Sequence, residues 1–217
     1  MDAVTSPDSL PLLVATPSSW AAGVLVAPLA LLNDPAHLEK KAAANALSLL
    51  NRWPKGPGDP PMREAGAEWT RLLASIARDE TEHLARVLRL LHRRGGSMSS
   101  GHRNTYAAAL HRHVRVGQGL AEVQDLLWVS ALIEARSCER FALLAASAQE
   151  ADLLALYRAL ERSERGHHRV FLDLATSLPG TPVAPARWSD WLDLEAAAIR
   201  VQPPGPTMHS GFDAAAR

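Results

Sequence analysis

The sequence predicts an all-α protein, and three observations carry that prediction. Ala and Leu dominate, while β-branched and aromatic residues are sparse. Runs of alternating apolar and polar residues are missing, whereas apolar residues recur at helical spacing over four long stretches. Breaks rich in Pro and Gly separate these stretches, and the break between the second and third is the longest, at about 25 residues.

Taken in order, residues 1–18 read as an irregular leading segment. A first long helix is expected from Asp34, as N-cap, with Pro35 at the first helical position, running to Trp53. The run PKGPGDPP (54–61) ends it. The second helix spans about Met62 to Arg94 and stops at Gly95-Gly96. GGSMSSGHRN is a loop, and TYAAALHRHV a short helix interrupted by Gly117 and Gly119. The third long helix covers roughly 120–147, and the fourth about 150–177, ahead of Pro179. A linker, PGTPVAPA, precedes a fifth helix at about 187–200. The final stretch, 202–217, reads as a mobile tail, leaving one helical domain over 19–201. No internal repeat is visible. Short connections make antiparallel neighbours, and a single long crossover between helices two and three is the ferritin-like arrangement of a four-helix bundle.

Composition narrows the function classes. Lys+Arg and Asp+Glu balance at 23 each, so net charge gives no sign of a nucleic acid or a membrane. With Cys138 as the single cysteine, no intrachain disulfide can form and a reducing compartment is expected. The N-terminus lacks the basic start and apolar run of a signal peptide, and no stretch of about 18 uninterrupted apolar residues exists. A soluble, cytoplasmic protein is expected.

The chemistry sits on the apolar faces of the long helices. ARDETEHLARVLRLL places Glu80 and His83 three residues apart, in line with Leu72, Leu73, Ile76, Val87 and Leu91. ALERSERGHHRVFL repeats the spacing with Glu164 and His167, in line with Tyr157, Leu160 and Phe171. Glu39 shares a face with Ala36, Ala43 and Ala46, and Glu134 with Leu127, Ala131 and Phe141. Singly, each of these is more often a surface or structural feature. Together they give one unit per long helix, in the order Glu, E-x-x-H, Glu, E-x-x-H. Four carboxylates are not buried together without compensation, and two divalent cations oppose their charge. Carboxylate and imidazole donors suit iron or manganese. Glu39, Glu80, His83, Glu134, Glu164 and His167 are therefore the expected ligands of a di-metal centre, while Glu82, Glu139, Glu161 and His168 are expected to face solvent or stand behind the ligands.

Weaker candidates surround them. Metal-bound histidines donate their other N–H to a carboxylate, and Asp79 is placed to reach His167 across the bundle. Cys138, one turn after Glu134, and Tyr157, two turns before Glu164, are candidates to line the site, although both residue types more often fill cores. From His83 to Ala121 there is no acidic residue, while Arg86, Arg89, Arg93, Arg94, Arg103, Arg112 and Arg115 fall there. Such a window is a candidate phosphate-binding surface, or simply a solvated one.

IEARSCERF (133–141), EKKAA (39–43), the Glu80/His83 segment and RSERGHH (162–168) together resemble the tRNA 2-methylthio-N6-isopentenyladenosine hydroxylase (MiaE) family, over about residues 30–178. The resemblance implies a ferritin-like fold and a di-iron centre held by the six residues named above. It also implies an O₂-dependent monooxygenase that hydroxylates the isopentenyl side chain of an adenosine beside the tRNA anticodon. Partners would be tRNA and an external electron donor, a reductase or ferredoxin, since no flavin or nicotinamide fingerprint is seen. Rival readings are a ferroxidase, a rubrerythrin-like peroxidase, or a non-catalytic RNA-binding bundle with a structural metal. The resemblance is traced no further than about residue 180.

Overall fold

The computed structural model describes residues 10–54, 60–181 and 185–212. Among these, every regular element is helical: α1 (Ser18–Leu25), α2 (Pro28–Leu49), a 3₁₀ turn (Leu50–Arg52), α3 (Pro60–Arg93), α4 (Thr105–His111), α5 (Leu120–Ser147), α6 (Ala151–Ser177) and α7 (Pro185–Arg200). The long helices α2, α3, α5 and α6 form the bundle. α2 pairs with α3, α5 pairs with α6, and α3 meets α6. The link from α3 to α5 carries α4 and is the expected crossover, so the fold is the ferritin-like bundle. No single helix among the described residues is long and apolar enough to cross a membrane.

Local rules explain most boundaries. α3 ends with Gly95 at φ 78°, the Gly95 N–H donating to His92 O and the Gly96 N–H to Leu91 O at 2.9 Å. This left-handed cap is the glycine stop that the sequence shows. α4 is capped by Asn104, whose side chain accepts the Ala107 N–H. α5 follows Gly119 at φ 58°.

The start of the first long helix differs from expectation. α2 begins at Pro28, not after Asp34, and Pro35 lies inside it. Pro28 takes the first-turn position where a missing N–H costs nothing. Asp34 caps no helix. It is buried, with Oδ1 2.7 Å from His102 Nε2 and Oδ2 accepting the Met208 N–H at 2.7 Å. A tertiary role thus displaces the local one. α1, which periodicity did not single out, packs against α5 at an angle of 107° to α2.

The expected mobile tail differs as well. Over 202–212 the chain folds back onto the bundle, with Met208, His209 and Ser210 buried. Trp20 Nε1 donates to Ser210 Oγ, Arg140 to Met208 O, and Asn104 pairs with His209. Long-range hydrogen bonds hold a Pro/Gly-rich segment whose composition alone suggests freedom. Residues 1–9 of the leading segment, 55–59 of the first break, 182–184 of the linker and 213–217 of the tail lie outside the described residues.

Two apolar clusters divide the core. One contains Trp69, Leu73, Ile76, Leu127 and Phe171; the other contains Leu32, Val87, Leu91, Phe141, Tyr157 and Leu160. On α3 the first cluster ends at Ala77 and the second begins at Val87, so Glu80 and His83 form a polar layer between them. Beside this layer, Arg136 of α5 is fully buried in a fork on Glu195 of α7, with both bonds at 2.9 Å. Tyr106 of α4 donates to the same carboxylate at 2.9 Å. This network fastens α4 and α7 to the bundle.

Candidate metal centre

Each bundle helix delivers its polar residues to one layer because three positions of a helix bring side chains back to the same face, one turn apart. Glu39, Glu80, His83, Glu134, Glu164 and His167 are all buried, none more than 5% exposed. They form two groups whose ligand atoms lie within 4.8 Å of one another. Glu39, Glu80, His83 and Glu164 make the first; Glu80, Glu134, Glu164 and His167 make the second. Glu80 and Glu164 belong to both. Each group therefore has one histidine and one carboxylate of its own, plus two shared carboxylates. His83 Nδ1 lies 3.4 Å from Glu39, 3.7 Å from Glu80 and 3.8 Å from Glu164. His167 Nδ1 lies 2.6 Å from Glu80 Oε1.

The donor atoms fit a pair of cations. Both Glu80 oxygens, Glu164 Oε1, His83 Nδ1 and His167 Nδ1 are buried, and apart from the close approach of Glu80 Oε1 and His167 Nδ1 none meets a partner in hydrogen-bond geometry. Buried polar atoms without partners are rare, because each costs about 1–3 kcal/mol. Converging on one space, they are a donor set that a pair of cations would satisfy. The protonation pattern agrees. Burial raises the Glu39 and Glu164 carboxyls well above their usual range, and neighbouring carboxylates add to it. Burial raises Glu134 as well. Glu80 goes the other way: burial pushes it up, but His167, His83 and Glu39 together hold it below the ordinary value. His167 is raised, since the Glu80 contact and the charges of Glu134 and Glu80 outweigh its burial. Divalent cations would take the place of these protons. Carboxylate-imidazole donors of this kind suit iron or manganese.

Beside the carboxylates lies a cavity of about 330 Å³. It occupies the seam between α2 and α5, with α4 across its mouth. Glu39, Glu80, Glu134 and Glu164 face it, and Leu38, Ala42, Ile133, Phe141, Ala107 and Ala108 supply apolar walls. Asn45, which donates to Ser130 Oγ at 2.9 Å, adds a polar point. Apart from the four glutamates, none of these lining residues stands out in the sequence, because a wall needs only moderate size and no special chemistry. Runs of consecutive alanines, 42–44 on α2 and 107–109 on α4, are the one signal they leave.

The weaker candidates separate. Asp79 Oδ2 approaches His167 Nε2 at 3.7 Å, beyond a direct hydrogen bond, while Oδ1 binds Arg78. The Cys138 thiol is buried, donates to the Glu161 carbonyl and is pushed up to about 12 by that burial. It does not line the cavity. Tyr157 is fully buried in the apolar cluster beside Phe141, 6.1 Å between rings, and is a packing residue rather than a wall of the cavity. His168, expected outside or behind the ligands, is buried with Nδ1 2.8 Å from Ala131 O. Glu139 binds the buried Arg136 and accepts from Thr16, whereas Glu82 is exposed. Of the arginine window, Arg89, Arg93, Arg103 and Arg112 are exposed, and Arg86 makes only a 3.8 Å pair with Glu82. Arg94 is held by Glu150 and Asp152, and Arg115 by Asp125. These two act inside the fold: Arg94 ties the end of α3 to the start of α6, and Arg115 clamps the crossover onto α5.

Comparison with known proteins places this arrangement in a family. A relative from Pseudomonas putida (strain KT2440), a tRNA 2-(methylsulfanyl)-N(6)-isopentenyladenosine(37) hydroxylase, is 36% identical over 160 residues, covering 74% of this chain and 72% of the relative. A protein of the same name from Salmonella typhimurium (strain LT2) is 31% identical over 158 residues, covering 71% of this chain and 57% of that relative. The chain thus spans less than two thirds of the second relative's length. Among solved structures, a Synechococcus protein with aldehyde deformylating oxygenase activity superposes with a TM-score of 0.79 at 30% identity, covering 95% of this chain and 98% of its own. The family model described as tRNA-(MS[2]IO[6]A)-hydroxylase (MiaE) matches residues 4–210, so the chain belongs to the MiaE family.

Proposed function

We propose that this chain is a di-iron, O₂-dependent hydroxylase acting on the isopentenyl side chain of a 2-methylthio-N6-isopentenyladenosine in tRNA. One observation supports it best: an apolar cavity that ends on the four carboxylates of a metal-binding layer. A volume of about 330 Å³ suits a small-molecule group rather than a macromolecule. A ferroxidase has no need of an apolar chamber beside its metals, whereas a prenyl group has.

Glu39 with His83, and Glu134 with His167, would hold one iron each, with Glu80 and Glu164 shared. When bound, the metal pair supplies O₂ activation for insertion of one oxygen atom into a C–H bond. The chain's own residues do the rest. Leu38, Ala42, Ile133 and Phe141 orient the prenyl chain by contact and keep water from it. Ala107 and Ala108 let α4 close over the mouth without filling it. Tyr106 holds α4 in that place through Glu195. Around the mouth stand Lys41, which lines the cavity, and the exposed Arg103 and Arg112, which flank the lining residues Asn104 and His111. These are the basic groups placed to meet tRNA phosphates as the nucleoside enters. Electrons come from outside the chain, from a reductase or ferredoxin, and a cytoplasmic location goes with a tRNA substrate.

The test is nucleoside analysis of prenylated tRNA incubated with iron-loaded protein, O₂ and a reductant. The prenyl-adenosine should gain one oxygen, and Glu134→Ala should abolish the gain while tRNA affinity stays. Iron turnover without oxygen incorporation into the nucleoside would sink the assignment.

A further inference from the structure

The tRNA reading puts the substrate on the α2/α5 side of the metal centre. On the opposite seam, between α3 and α6, lies a second opening. Leu72, Ser75, Asp79, Ser163, Gly166 and His167 line a groove of about 270 Å³ there, bordered by Arg71 and Arg162. His167 joins this groove to the buried layer. Its Nδ1 faces Glu80 at 2.6 Å, and its Nε2 faces the groove, 3.5 Å from Ser163 Oγ and 3.7 Å from Asp79 Oδ2. None of the four carboxylates lines the groove, and His167 does not line the cavity. Gly166 leaves the groove open, since a Cβ there would meet nothing within 4 Å.

The charged residues of the groove are Arg71 and Arg162, against Asp79. Arg158, Arg162, Arg165 and Arg169 recur along the outer side of α6, with Asp173 one turn further on; of the four, Arg162 borders the groove, while Arg165 lies on the α5 flank, where it shares Glu161 with Cys138. Arg165 pairs with Glu161. Arg158 and Arg162 are exposed and, among the described residues, have no ion-pair partner. On α3, Arg71 and Arg78 are paired with Glu68 and Asp79, which leaves Arg162 as the cation of the groove without an ion-pair partner among the described residues.

We infer that this groove is the docking surface for an acidic one-electron carrier protein of the iron–sulfur class, which delivers its electrons at His167. The inference deepens the hydroxylase reading and rests on it. Hydroxylation of R–H consumes O₂, two electrons and two protons, and yields R–OH and water. Two reduced carriers are oxidised per turnover. Two facts favour a carrier over RNA at this face. An electron needs only contact with a group joined to the metal layer, and His167 is such a group. A nucleoside needs the cavity, and from this groove its mouth is two helix diameters around the bundle, roughly 20 Å away. Carrier and tRNA therefore bind together rather than in turn.

The test uses the iron-loaded protein, an acidic [2Fe–2S] ferredoxin as probe, and two variants at exposed positions. Arg162→Glu reverses the charge at the rim, and Gly166→Phe fills the groove. Ferredoxin affinity at low ionic strength should fall about 10-fold in Arg162→Glu, and the difference should shrink at high salt. Gly166→Phe should weaken binding at all salt concentrations. The KM for ferredoxin should rise in parallel, while turnover driven by reduced methyl viologen, tRNA affinity, and an Arg200→Glu control stay unchanged. Ferredoxin binding no tighter to the wild type than to both groove variants overturns the inference. So does a matching loss of tRNA affinity, which would make the groove a nucleic-acid face. A failure of the tRNA reading looks different: groove-dependent ferredoxin binding persists, but no oxygen enters the nucleoside.

Discussion

Replacing Glu164 by Gln should stabilise the metal-free protein and handicap the metal-bound one. Glu164 is 3% exposed, its Oε1 has no partner, and its carboxyl is raised well above the ordinary 4.5 by burial and by Glu134 and Glu80. Above pH 4.5 the unfolded chain releases a proton that the folded chain keeps. Stability is therefore full below that pH and falls as pH rises toward the folded pKa, by about 1.4 kcal/mol per pH unit for each retained proton. Glu39, Glu134 and His167 are also raised, so they act in the same direction, His167 from its ordinary 6.5 upward. Glu80 is lowered, and its contribution disappears only in acid below 4.5. An amide at 164 removes one proton from this sum. Above pH 4.5, and as far as the raised folded pKa, the gap between variant and wild type should widen by about 1.4 kcal/mol per unit, roughly 3–6 °C in Tm for a chain of this length. The assay is thermal unfolding after chelation, with and without Fe(II) or Mn(II). Metal at 100 times its Kd should return about 2.7 kcal/mol to the wild type. The variant, short of one shared ligand, should gain less. Equal Tm values for the two metal-free proteins across that pH range would refute the picture of mutually buried carboxylates.

Three further outcomes test other parts of the structure. Ala42→Phe puts a ring into the cavity and should lower hydroxylation at least 10-fold while metal content stays at wild-type level, read by nucleoside analysis and metal assay. Arg136→Met leaves Glu195 buried without its cation and should cost about 3–5 kcal/mol in denaturant unfolding; adding Glu195→Leu should recover part of that loss. Cys138, with its thiol pushed up to about 12, should resist thiol reagents in the folded protein and react once it is unfolded.

The arrangement of the buried Glu/His layer was legible along the chain because helices translate spacing into direction. Glu80 and His83 announce a shared face by lying three residues apart, and their apolar neighbours announce that the face is inside. The same logic failed for Asp34. Asp-Pro is a sound helix start, yet Pro28 supplies an earlier one, and the carboxylate is taken by His102 and Met208. It failed for residues 202–212, whose composition suggests freedom while hydrogen bonds from Trp20 and Arg140 hold them. The acid-free arginine window was read as one surface, but Arg94 and Arg115 face acids brought in from α6 and α5.

By itself, then, the sequence determined the helices, the crossover and the six candidate ligands, because periodicity, glycine stops and the E-x-x-H repeat are local properties of the chain. Only the tertiary structure decided which carboxylates are shared, where the cavity opens and which arginines remain available. Those depend on distances between helices, and a distance between helices is set by packing that no single stretch of sequence contains.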